Sequence, residues 1–128
     1  MRIVVRTMFV SRKTAIEWRG AGMRKGADAG WLAALRAAVE PFRESLVPSF
    51  EGDPKLKMVA RIHGPAKRIG PLDIHDALAQ IVDQFTDILF PRQRGKPIPQ
   101  TADRHFWRVG AEKIVDSEPR VELEFGEL

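Results

Sequence analysis

The stretch Lys55–Phe85, KLKMVARIHGPAKRIGPLDIHDALAQIVDQF, changes its hydrophobic period part-way along, and that change decides the fold. Its first nine residues alternate Leu56, Met58, Ala60 and Ile62 with Lys57, Val59, Arg61 and His63. A period of two reads as a half-buried strand with one basic side, and His63 at its end reads as surface. "GPAKRIGP" is a turn-rich connector. Leu78, Ile81, Val82, Phe85, Ile88 and Leu89 then recur at helical spacing, leaving Asp76, Gln80, Asp83 and Asp87 on the opposite face. Asp73 or Asp76 can cap this helix and Pro91 stops it.

Outward from that core the same reasoning places the other elements. Residues 1–10, "MRIVVRTMFV", read as a strand. A glycine-rich basic loop over 11–27 precedes a helix that begins at Asp28 and ends by Pro48. Trp31, Leu32, Leu35, Ala38, Val39, Phe42 and Leu46 form its apolar stripe, and Pro41 inside that stripe predicts a kink or break. After the second helix comes a basic Pro/Gly loop, "RQRGKPIPQTA". "RHFWRV" and "EKIV" form a third strand with a bulge expected near Gly110, and one of Phe106 and Trp107 must face outward as a candidate dimer contact. "RVELEF" is a one-sided closing strand. The order β-α-β-α-β-β describes one α+β domain with a small mixed sheet and two helices.

Composition sets the boundaries. A chain of 128 residues with 44% apolar and 30% charged residues is globular, and it has no cysteine for disulfides or thiolate metal sites. No run is long enough to span a bilayer and the start is not a signal sequence, so a cytoplasmic protein is expected. Net charge is +4, unevenly spread. Residues 1–25 hold seven bases against Glu17, whereas residues 112–128 hold six acids against Lys113 and Arg120. That asymmetry suggests a face turned toward a polyanion. Trp18 lies among the bases of the first loop, where an aromatic can stack on an unpaired base or tuck into the domain. No phosphate-binding glycine loop, Ser/His/Asp order or zinc-finger spacing is present.

The candidate site is the helix mouth. Capping accounts for one acid, but Asp73, His75 and Asp76 crowd into four residues, and "DIH" at 73–75 is echoed by "DRH" at 103–105. In extended backbone each Asp-x-His pair directs a carboxylate and an imidazole to one side. Oxygen donors suit Mg²⁺ or Mn²⁺, and added imidazole shifts preference toward Mn²⁺, Zn²⁺ or Fe²⁺.

Residues 55–126 resemble the RusA-type Holliday junction resolvases. In that family a strand leads into an Asp-x-Asp-Asn motif that opens a helix, with an acid near mid-helix, a downstream Asp, a strand lysine and a closing strand. Asp73-Ile74-His75-Asp76 falls at the motif, Asp83 at the mid-helix acid, Asp103 at the downstream acid and Lys113 at the strand lysine. The resemblance implies a homodimeric, Mg²⁺-dependent (Mn²⁺ possible) endonuclease acting on branched DNA. Asp73, Asp76 and Asp103 would be metal ligands assisted by His75, and Lys113 would join them as a catalytic group. Arg12, Lys13, Arg24, Lys25, Lys67, Arg68, Arg92, Arg94 and Lys96 would line the DNA face, since carboxylates alone repel DNA. The chain departs from the pattern: His75 replaces the second acid, Asp76 replaces the Asn, and Ala79 stands where a helix lysine belongs. A DNA-binding relative that has lost its chemistry, and a phage-type protein-interaction module, are the alternative readings.

Overall fold

A computed structural model describes residues 1–12, 29–91 and 102–128, with only the backbone for Ala102 and Asp103. The elements are β1 (Arg2–Val5), α1 (Ala29–Val39), α2 (Arg43–Leu46), β2 (Leu56–Gly64), α3 (Ala66–Ile69), α4 (Ile74–Leu89), β3 (Phe106–Val115) and β4 (Arg120–Glu127). The four strands make one mixed sheet in the order β1-β4-β2-β3. β4 runs antiparallel to both β1 and β2, while β3 is parallel to β2. The fold is α+β, as the two hydrophobic periods require. Among the described residues no helix is long and apolar enough to cross a membrane.

The core lies between one sheet face and the helices. Ile3 and Val5 of β1, Leu56, Met58, Ala60 and Ile62 of β2, and Val121, Leu123 and Phe125 of β4 all bury alternate side chains against Trp31, Leu35 and Val39 of α1 and Ile81, Phe85 and Leu89 of α4. Phe50, Phe106 and Phe125 close the lower end, with ring centroids about 6 Å apart. The other sheet face is polar. There Arg2 pairs with Glu122, and Arg61 pairs with both Glu112 and Glu124.

Pro41 breaks the first helix as expected. A 3₁₀ turn over Glu40–Phe42 interrupts it, and the chain resumes as α2. The break swings Phe42 off the buried stripe, leaving it 39% exposed. α2 has a purpose beyond packing. Arg43 donates from its two terminal nitrogens to Ile88 O at 2.6 Å and Leu89 O at 2.9 Å, satisfying carbonyls that the end of α4 leaves without intrahelical partners.

Other expectations need correction. The first strand covers only Arg2–Val5, although Phe9 and Val10 remain buried beyond it. The connector 64–71 contains the short helix α3. The bulge lies not at Gly110 but at Trp107, where β3 inserts one residue between the partners of Leu56 and Lys57. That extra residue sends Trp107 outward, 64% exposed, with Lys55 Nζ 4.5 Å from its ring centroid, while Phe106 joins the core aromatics.

His63 is buried, not surface. Its Nδ1 is 3.4 Å from Asp116 Oδ2 and its Nε2 is 3.5 Å from Glu122 Oε2, so the imidazole is enclosed by two carboxylates that Arg120 also engages. Gln80, placed by periodicity on the polar face, is buried as well. The reason is a polar relay across the helix packing. Trp31 Nε1–H donates to Gln84 Oε1 at 2.8 Å, and Gln80 Nε2 donates to the same oxygen and to Val10 O. Gln80 Oε1 accepts the backbone N–H of Arg12 at 2.7 Å. Two glutamines thus tie α1, α4 and the chain after β1 together.

Candidate functional site

α4 begins where Asp73 Oδ1 accepts the backbone N–H groups of His75 (2.9 Å) and Asp76 (3.1 Å). Those N–H groups have no intrahelical partner, so an acid in extended backbone just ahead of the helix is what that position favours. Asp73 is therefore the cap, and Asp76 is the acid that capping leaves over. His75 is already helical and Asp103–His105 lie in a 3₁₀ turn, so neither Asp-x-His pair has the extended backbone that would aim both groups to one side. The turn ahead of the helix is fixed by Lys113, whose Nζ donates to Gly70 O at 3.0 Å and Leu72 O at 3.1 Å. The lysine singled out for catalysis thus positions the helix mouth through backbone carbonyls.

Below that mouth the helix presents a cavity of about 730 Å³. His75, Asp76, Ala79 and Asp83 line it from α4, Ser11 and Arg12 from the chain after β1, and Phe106 and Val109 from β3. Leu78 and Val82 complete an apolar floor, which is why these two members of the helical stripe are only half-buried. Asp83 Oδ2 accepts from Arg12 at 3.4 Å, an exposed pair worth about 1 kcal/mol or less. The cavity therefore has an acidic upper rim, a neutralised acid lower down and one guanidinium.

The sequence-derived residues divide between several places. Asp73, His75, Asp76 and Lys113 gather at the helix mouth, and Arg12 joins the cavity through Asp83. Lys67 and Arg68 are exposed on α3, just before the mouth. Asp103 lies in the 3₁₀ turn Ala102–His105 that opens β3, and its side chain lies outside the described residues. Phe106, the first residue of β3, is seven strand positions from Lys113, roughly 23 Å. The backbone thus starts Asp103 at the opposite end of β3 from the helix mouth. Lys13, Trp18, Arg24, Lys25, Arg92, Arg94 and Lys96 lie outside the described residues.

No protein-family model matches this chain, and a search of curated proteins finds no significant match.

Two features escaped the sequence reading. Phe106 and Val109 contribute the second wall of the cavity, and only the parallel pairing of β3 with β2 brings them opposite α4. The His63 cluster was signalled by the acids at 116, 118 and 122 around Arg120, but its depth depends on β2–β4 register, which sets His63 against Arg120. There the Asp116 carboxyl is held below its ordinary value, chiefly by the Glu118 backbone N–H and then by Arg120. Burial alone would raise the Glu122 carboxyl; Arg120, Arg2 and His63 outweigh it and hold it low.

Proposed function

We propose that this protein is a divalent-metal-dependent endonuclease that acts on branched DNA in the cytoplasm as a homodimer. The observation that supports the reading is the cavity wall that sets His75 and Asp76 above Asp83 and Arg12, directly under the Asp73 cap. Carboxylate oxygens with one imidazole suit Mg²⁺ or Mn²⁺ in kind. Among the described residues no three such groups converge on one point, so an ion held at Asp73, His75 and Asp76 would keep several waters. Asp83 stands two helical turns below Asp76, roughly 10 Å, which is too far to share one ion with it. Asp103, at the far end of β3, is not assigned to that ion.

When bound, such an ion polarises a phosphoryl oxygen and generates hydroxide near neutral pH. The remaining work falls to the chain. Arg12 receives a backbone phosphate at the cavity rim, and Asp83 limits the directions its guanidinium can take. Lys67 and Arg68 offset the repulsion between the acids and DNA. The cap and the Lys113 hydrogen bonds hold the helix mouth in one position, which is what a ligand set needs from its surroundings.

Calorimetric titration of Mg²⁺ and Mn²⁺ into wild type and Asp76→Asn, followed by a synthetic four-way junction, tests this. Wild type takes up the ion and makes paired nicks; Asp76→Asn binds the junction but neither takes up the ion nor cuts. Equal uptake and cutting by both proteins sinks the assignment. A second reading is favoured by two observations: Asp73 is engaged as a cap, and Asp83 is paired with Arg12. It is a DNA-binding relative without cleavage, and it gives salt-dependent junction binding with no nicks in either metal.

A further inference from the structure

Among the described residues β3 is an edge strand of ten residues, against four in β1 at the other edge. Asp116 N donates to Gly64 O, so from Arg108 onward even-numbered positions turn their backbone groups toward β2 and odd-numbered ones turn outward. Val109 and Val115 are 46% and 70% exposed. Gly110 sits in the middle. It has no left-handed backbone, and a Cβ placed there meets nothing within 4 Å. A mid-strand glycine weakens a strand, and no contact within the described protomer asks for one here.

We propose that β3 pairs antiparallel with β3 of a second copy about a two-fold axis at Gly110. Outward backbone groups recur at every second position, so such an axis must pass through a residue and not between two. With the axis at Gly110, Arg108 lies opposite the partner's Glu112, and by symmetry the pair occurs twice. Both side chains are exposed on the polar sheet face, where Glu112 also lies 3.5 Å from Arg61 of its own protomer. Val109 and Ala111 exchange backbone hydrogen bonds with the partner's Ala111 and Val109. Neighbouring axes lose this match: at Val109, Arg108 meets Gly110 and Glu112 runs onto the Trp107 bulge; at Ala111, Lys113 meets Val109; at Glu112, two carboxylates meet on the axis. The register that places the unexplained glycine on the axis is the one that pairs the charges. Because Phe106 and Val109 also line the cavity, the pairing sets two cavities on the same face of one continuous sheet, one on each side of the axis.

The inference shares with the proposed function only the number of copies, and its test uses neither DNA nor metal, so either can fail alone. Sedimentation of wild type should show a concentration-dependent dimer. Arg108→Glu and Glu112→Arg should each weaken it roughly tenfold, and the double exchange should restore it. The chain has no cysteine, so Gly110→Cys adds a single thiol opposite its own copy at about 4.5 Å between Cα atoms, within disulfide range. Gly110→Cys should crosslink under mild oxidation. Val115→Cys should not, since in this register its copy lies ten residues along, about 33 Å away. A native-like circular dichroism spectrum certifies each variant. If Gly110→Cys misfolds, a mixture of Arg108→Cys and Glu112→Cys replaces it and should crosslink between chains. A monomer at every concentration, a double exchange that fails to restore pairing, or Val115→Cys crosslinking as readily as Gly110→Cys overturns the proposal.

Discussion

Replacing Asp73 separates its two assigned roles. The side chain caps α4 through two backbone N–H groups, and its charge lies at the positive end of a sixteen-residue helix. Asp73→Ala loses both contributions: about 1 kcal/mol for the cap and about 0.5 kcal/mol for charge against the helix dipole. Asp73→Asn keeps an oxygen that can accept the same hydrogen bonds and loses only the second. The expected destabilisation is therefore about 1.5 kcal/mol for Ala and about 0.5 kcal/mol for Asn. For a domain of this size the Ala variant should melt roughly 5–8 °C lower. Urea unfolding followed by circular dichroism measures both, with unchanged m-values confirming that the native and denatured states are comparable. Junction cutting should be lost in both variants, because neither retains the carboxylate. Equal destabilisation by Ala and Asn would show that the N–H contacts contribute nothing. Normal cutting by Asp73→Asn would reduce the residue to a cap.

Three further outcomes follow from the packing. Gln84→Leu strands the buried Trp31 N–H and should cost about 1–3 kcal/mol in urea unfolding; adding Trp31→Phe, which removes the orphaned donor, should recover part of that loss. Arg43→Ala frees two carbonyls at the end of α4 and should cost about 2 kcal/mol, with faster amide exchange confined to the helix C-terminus. The carboxyls of Asp116 and Glu122 titrate lower in the folded state than when unfolded, so their stabilisation is complete above the unfolded pKa of about 4 and disappears as pH falls through the folded values. Urea midpoints should therefore fall below about pH 4, and Glu122→Gln should flatten that decline.

Elements with a strong period were legible in the sequence. Alternation over 56–62 and 121–125 and the stripe from Ile81 to Leu89 each identified an element and its buried face. Polar burial was not legible. Gln80, Gln84 and His63 look like solvent-facing residues until Trp31, the chain after β1 and the β3–β4 turn supply their partners, and those contacts span from tens of residues to about seventy. The site was half legible. A surplus of acids at the helix mouth could be counted, but which one caps depends on backbone geometry at Asp73. The opposite wall from Phe106 and Val109 depends on sheet order. The bulge was misplaced because Gly110 is a more conspicuous sequence signal than the Trp107 that occupies it.

β4 lies between β1 and β2, yet it is the last of the four described strands along the chain. Arg2 waits for Glu124, more than a hundred residues downstream, before its strand has a neighbour. On a ribosome, then, β1 emerges with no strand to join, and β2 gains at most β3 on one side. A sheet of this order cannot assemble progressively; it closes when residues 120–127 slide into the gap. Closure through such distant contacts is slow, and until it happens the edges of β1 and β2 are open to other chains. Nascent chains stalled before residue 120 should therefore depend on chaperones, whereas those released with β4 complete should not.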